Sequence, residues 1–149
     1  MQCGIDMLNK GTLFISISII IISCVWLGYS HYFQPVIFAK SVSDFDIPVN
    51  SNIISFHEEW TDFNGDGYAI SKINVIEPEF GKIIEQCQNN RYHRLPIDRT
   101  LLLFGDDNID SLSNENNVGY YKIFNSKKQM SLNIVNTETQ LVTTYLLLF

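Results

Sequence analysis

Residues 11 to 30 read GTLFISISIIIISCVWLGYS, twenty consecutive positions without a charged side chain. At a rise of about 1.5 Å per residue, a helix of that length spans about the 30 Å hydrocarbon core of a bilayer. Ser16, Ser18 and Ser23 do not interrupt it, because a helix absorbs a hydroxyl by bonding it back to a carbonyl one turn earlier. Trp26, Tyr29, Tyr32 and Phe33 gather at the far end, where aromatic rings settle at the headgroup level. Residues 1–30 therefore read as a membrane anchor or export signal.

Three forms of that signal fit the residues. One is an uncleaved transmembrane helix. A second is a lipoprotein signal, since Ile21-Ile22-Ser23-Cys24 resembles a lipobox, with Cys24 as the lipidated residue. Val25-Trp26-Leu27 stays apolar after that cysteine, where a mature lipoprotein turns polar. The third is a cleaved signal peptide, but no small-residue cleavage motif follows the run. All three place the rest of the chain outside the cytoplasm. Lys10 before the run and Asp44 and Asp46 after it favour a cytoplasmic N-terminus and a single pass.

At 149 residues one soluble domain is expected behind the anchor. Residues 31–50, with Pro35, Pro48 and a polar Ser41-Val42-Ser43-Asp44 run, read as a stalk. Residues 51–149 read as an extracytoplasmic domain. The chain from Lys40 onward carries 9 Lys/Arg against 15 Asp/Glu, which is the whole of its net −6. An acidic domain is a poor match for nucleic acid, which demands clustered basic groups. The partners expected are a membrane and a protein. Cys3, Cys24 and Cys87 give the domain only one thiol, so no disulfide supports it.

Within the domain, Asn52 to Trp60 alternates as a strand, with Ile54, Phe56 and Trp60 on its apolar face, and Tyr68 to Val75 alternates again across a Gly/Asn/Asp loop, which makes a hairpin. Glu77-Pro78-Glu79 opens a helix with proline and acids in its first turn. Phe80, Ile83, Ile84 and Cys87 follow as one apolar stripe, and Asn89-Asn90 ends it through a left-handed cap. In that stripe Cys87 reads as a small buried hydrophobe. Arg91 to Ile97 is a short strand, residues 98–118 are irregular around an apolar Leu101–Phe104 plug, and three further strands follow at Gly119–Phe124, Met130–Val135 and Gln140–Leu148. The last, ending YLLLF, is expected to be central. The fold class is α+β: an N-terminal transmembrane helix, then an antiparallel sheet of about five to six strands with one amphipathic helix packed on it.

The sharpest local motif is Asp62-Phe63-Asn64-Gly65-Asp66-Gly67. It resembles the opening of an EF-hand or dockerin calcium loop. Asp62, Asn64 and Asp66 stand at the oxygen-donor positions, Gly67 at the turn, and Tyr68 would offer its carbonyl. The twelfth position, a bidentate acid in such loops, is Ile73, and the flanks are strands. A wide hairpin loop explains the same residues, so calcium is a candidate ligand and no other cofactor is expected. His57-Glu58-Glu59 with His93 lacks paired-histidine metal spacing. Arg91, His93, Arg94 and Arg99 form one basic cluster, which offsets nearby acids. No nucleophile elbow, phosphate loop or zinc cysteine pair occurs, so nothing argues for an enzyme.

Phe63, Gly65 to Gly67, Tyr92 to Pro96 and Asn136 to Thr139 together make an F-x-G-D-G hairpin, a Y-x-x-L-P strand after a helix, and a C-terminal hairpin turn. In these features the chain resembles a group of small, uncharacterised bacterial membrane-anchored or exported proteins. That resemblance implies a fold and a bacterial source, and no activity. The expectation is a membrane-tethered binding module, of an immunity or envelope-accessory kind, meeting its partner through Trp60, Phe63 and Tyr68. The alternatives are a calcium-binding module using Asp62 to Asp66, or a lipoprotein lipidated at Cys24.

Overall fold

The computed structural model describes residues 3–32, 34–61, 66–97 and 117–149. The chain divides into two compact units, Met1–Gln34 and Pro35–Phe149. The first is essentially one helix, α1 (Cys3–Tyr32). It is long and apolar enough to cross a membrane. Its Ile, Leu, Val, Phe and Trp side chains from Phe14 to Leu27 are exposed. Ser16 and Ser18 donate their hydroxyls to the carbonyls of Thr12 and Phe14, each at 2.9 Å, so these polar groups are met within the helix. Cys24 lies inside this continuous helix with an exposed thiol.

The second unit contains helices α2 (Gln34–Val42) and α3 (Glu79–Asn89) and strands β1 (Asn52–Thr61), β2 (Asp66–Asn74), β3 (His93–Arg94), β4 (Gly119–Asn125), β5 (Gln129–Asn136) and β6 (Leu141–Leu148). The strands form one sheet in the order β1-β2-β6-β5-β4-β3, with every pairing antiparallel. The expected α+β class holds, and β6 is central as its apolar sequence requires.

Two expectations are corrected. The stretch 31–50 is not a free stalk. Val36 and Ala39 of α2, with Phe45 and Ile47 after it, are buried in the core beside Ile73, Val75, Val135 and Val142 of the sheet. The globular unit thus begins at Pro35, and two helices share the sheet face where one was expected. Most of the apolar positions of α2 fall in one short run, Val36 to Ala39, between Pro35 and the polar Lys40-Ser41 pair, too short to show a helical period. The second correction concerns the cap of α3. Asn90 keeps a right-handed backbone (φ −89), and the left-handed residue is Arg91 (φ 60). The Asn90 side chain instead donates to the Asp44 carbonyl at 2.7 Å.

At its start α3 behaves as its sequence predicts. Glu77 accepts the Gly81 N–H at 3.2 Å, placing an anion on the positive end of the helix. Phe80, Ile83 and Cys87 are buried, and Ile84 packs at the margin of the same core. The opposite face of the sheet carries a second core of Leu132, Ile134, Tyr121 and Tyr145, covered in part by Leu95 and Ile97. Both faces are therefore apolar. This explains why β5 is buried at six successive positions from Met130 to Val135, a pattern of a fully covered central strand. The Leu101–Phe104 plug and the rest of 98–116 lie outside the described residues.

Candidate functional site

The longest open edge of the sheet is β1. It is the terminal strand, ten residues long, whereas the other edge, β3, has two. Among the described residues no strand pairs with its outer side. Its pairing with β2 slips between Ile53 and Ser55 and then runs in unbroken register from Ser55 opposite Lys72 to Thr61 opposite Asp66. The slip makes Ile54 the extra residue of a bulge, which is why it is 56% exposed and not part of an apolar face as expected. Phe56 of that predicted face makes an edge-to-face contact with Phe38 of α2 at 5.5 Å.

Trp60 lies beyond the cover of α2. Its strand partner is Gly67. A Cβ on Gly67 would sit 2.7 Å from the indole Cε3 and 2.3 Å from the Glu59 carbonyl oxygen, and Gly67 holds φ at +157. Both the close approach and the positive φ demand glycine here. The bare backbone gives the indole a flat floor, and its outer surface stays 44% exposed. The indole N–H donates to Glu58 Oε2 at 3.2 Å, which orients both side chains on one side of the strand.

Tyr68 stands opposite Glu59, so it projects from the other face of the sheet. Its hydroxyl lies 3.1 Å from His57 Nε2. Trp60 and Tyr68 therefore do not form one aromatic patch. Phe63 lies outside the described residues, as do Asp62 and Asn64 of the calcium motif. Of that motif the structure places Asp66 at the start of β2 and Tyr68 within it. Ile73, at the position where a calcium loop carries its bidentate acid, is completely buried in the core. Among the described residues no three His, Cys, Asp or Glu side chains come together as a metal site. His57 and His93 are on the two opposite edge strands with four strands between them, on the order of 24 Å apart at the spacing of a sheet, so they share no site.

Two features escaped sequence reasoning. The first is a polar clamp. Lys122 Nζ donates to Asp44 Oδ2 at 2.6 Å and to the Asn90 carbonyl at 2.8 Å. It also lies over the Tyr92 and Phe124 rings at 5.2 and 4.8 Å. With the Asp46 N–H donating to Gln86 Oε1 at 2.8 Å, this clamp fixes segment 43–47 to α3 and β4. Behind it, burial foremost and then the Asp44 charge push the Cys87 thiol up to about 12. Burial likewise pushes the Tyr92 hydroxyl above its ordinary value. Both stay neutral, so Cys87 is a core residue and not a nucleophile.

The second is a row of buried polar side chains on the helix-covered face: Ser71, Thr144 and Asn133, in consecutive register across β2, β6 and β5. Ser71 Oγ donates to the Pro35 carbonyl at 3.2 Å and Asn133 Nδ2 to the Val42 carbonyl at 3.2 Å, which pins both ends of α2. Thr144 Oγ1, Asn133 Oδ1 and Ser131 Oγ are buried without a partner. The sequence hid this row because Ser and Asn alternating with Met130, Leu132 and Ile134 read as the solvent face of β5.

No family model matches the chain, and no match to it is found among curated proteins or solved structures.

Proposed function

We propose that the chain is a membrane-tethered binding module whose globular unit, outside the cytoplasm, holds a protein partner along β1. The observation that carries this reading is the combination of an unpaired ten-residue edge strand with an indole held exposed on the backbone of Gly67. An open strand edge offers rows of backbone donors and acceptors that can pair with an extended segment of another chain. A large aromatic fixed in place is the side chain most often found at the energetic centre of an interface. The exposed apolar α1 supports the tether. An uncleaved anchor with a cytoplasmic N-terminus follows from Lys10 and the downstream acids. Immunity-type and envelope-accessory roles both suit a domain of this size that carries no catalytic constellation among the described residues.

The test is photocrosslinking in intact cells, with a photoreactive residue replacing the exposed Thr61. Discrete protein adducts that disappear in a Trp60→Ala background are expected. Losing a central indole at an interface weakens binding by about thirtyfold or more. A chain that captures no protein at position 61, while correctly inserted and folded, would sink the proposal.

A further inference from the structure

The partner's chemistry can be read from the charge of the open edge. Glu58 and Glu59 are neighbours in the regular part of β1, and successive side chains of a strand point to opposite faces. One carboxylate therefore stands on each side of the sheet at the same level. Neither is in an ion pair: the three salt bridges among the described residues are Lys40–Asp46, Lys82–Glu79 and Lys122–Asp44. Glu58 is steadied by the Trp60 indole N–H. Their strand partners on the inner side, Ala69 and Tyr68, carry no charge. Among the described residues no basic side chain stands opposite either carboxylate across the β1–β2 ladder, and the outer side of β1, where a seventh strand would lie, is open.

We infer that β1 accepts an extended segment of another protein bearing two adjacent basic residues, added as a seventh strand, so that its basic pair meets Glu58 on one face and Glu59 on the other. This rests on the binding reading above and sharpens it. Opposite charges directly across a ladder stabilise it, and like charges destabilise it. The same two carboxylates thus discriminate between occupants. A second copy of the chain would bring another Glu58 and Glu59 to the ladder, which disfavours edge-to-edge dimers. A basic doublet is drawn to the site by both. Trp60, on the same face as Glu58, adds an aromatic wall beside one of the incoming cations. The Ile54 bulge ends the accepting stretch, because a slipped register cannot continue a regular ladder; the segment accepted is the one opposite Ser55 to Thr61.

The experiment uses the full chain in micelles of an uncharged detergent and two probes: a Val/Thr peptide with a central Lys-Lys pair, and the same peptide with a central Glu-Glu pair. Calorimetry gives affinity, and hydrogen exchange gives its location. The Lys-Lys peptide is expected to bind, to slow exchange of the amides between Ser55 and Thr61, and to weaken about fivefold in the Glu58→Gln/Glu59→Gln double variant. That variant keeps the side-chain shape and the indole contact, so folding is preserved. The Glu-Glu peptide is expected not to bind. Three results would overturn the inference. They are equal affinity for both peptides, Lys-Lys binding that leaves β1 exchange unchanged, and self-association that protects β1 without any peptide. The crosslinking experiment fails separately. A protein captured at position 61 alongside no preference for the basic peptide keeps the binding module and removes the basic strand. Capture of nothing removes the module itself.

Discussion

Thr144→Val is expected to stabilise this protein. Thr144 is fully buried under α2 at the centre of the sheet, and its hydroxyl has no partner. An unmet buried hydroxyl costs about 1–3 kcal/mol in lost hydration. Valine has nearly the same shape, so the methyl fills the place of the hydroxyl without a cavity or a clash. The net gain is expected to be about 2 kcal/mol. For a unit between the small- and medium-domain ranges, that corresponds to a rise of roughly 8 °C in Tm. The control is Ser71→Ala. Ser71 sits directly opposite Thr144 and is equally buried, but its hydroxyl donates to the Pro35 carbonyl. Removing it loses that hydrogen bond and should cost about 1 kcal/mol. Two substitutions at facing positions with equal burial should thus move Tm in opposite directions. Heating the full chain in detergent micelles, followed by near-ultraviolet circular dichroism, reads both. A lower Tm for Thr144→Val would mean that its hydroxyl is bonded in solution, and the reasoning about this row would be wrong.

Other expectations follow from the same structure. Gly119 holds φ at +152, and a Cβ there would sit 2.0 Å from the Val135 carbonyl oxygen, so Gly119→Ala should destabilise by about 3 kcal/mol or more, read as a fall in the urea midpoint. Because burial raises the folded Cys87 thiol to about 12, native chains keep a proton that unfolded chains release. Stability is therefore full below about pH 9 and should fall as pH rises toward 12, by up to about 1.4 kcal/mol per unit; Cys87→Ala should flatten that slope. Lys122→Met breaks the clamp on Asp44 and Asn90 and should cost about 1–3 kcal/mol, with hydrogen exchange accelerated first at residues 43–47. Millimolar calcium should leave Tm unchanged, since the buried Ile73 stands where a calcium loop needs its bidentate acid; a rise of several degrees would favour the loop as a metal site.

The class of fold was legible because it rests on period. The stripe of α3 and the alternation of β2 each report a buried face, and short turns force antiparallel neighbours. What was not legible depends on which faces are covered. Ser131 and Asn133 carry the polar half of an alternating strand, and only the docking of α2 puts them in the interior. The α2 helix was hidden in turn because Pro35 and the Ser41–Asp44 run look like linker, while its buried positions, Pro35, Val36 and Ala39, are too few to show a period. At the candidate site, Trp60 was legible as an aromatic near a hairpin tip. Its separation from Tyr68 follows from register, and its exposure from the bare backbone of Gly67, neither of which alternation alone reveals. The Asp44–Lys122 pair joins residues far apart in the chain, and no local pattern announces it.

The tethered placement of the globular unit is tested most directly by labelling intact cells with a membrane-impermeant maleimide. A Lys127→Cys variant puts a thiol on the exposed β4–β5 turn, and Cys3 marks the side of the N-terminus. The expected result is labelling at position 127 in intact cells and at Cys3 only after the membrane is permeabilised. Labelling of both positions only after permeabilisation would place the unit in the cytoplasm and contradict the account.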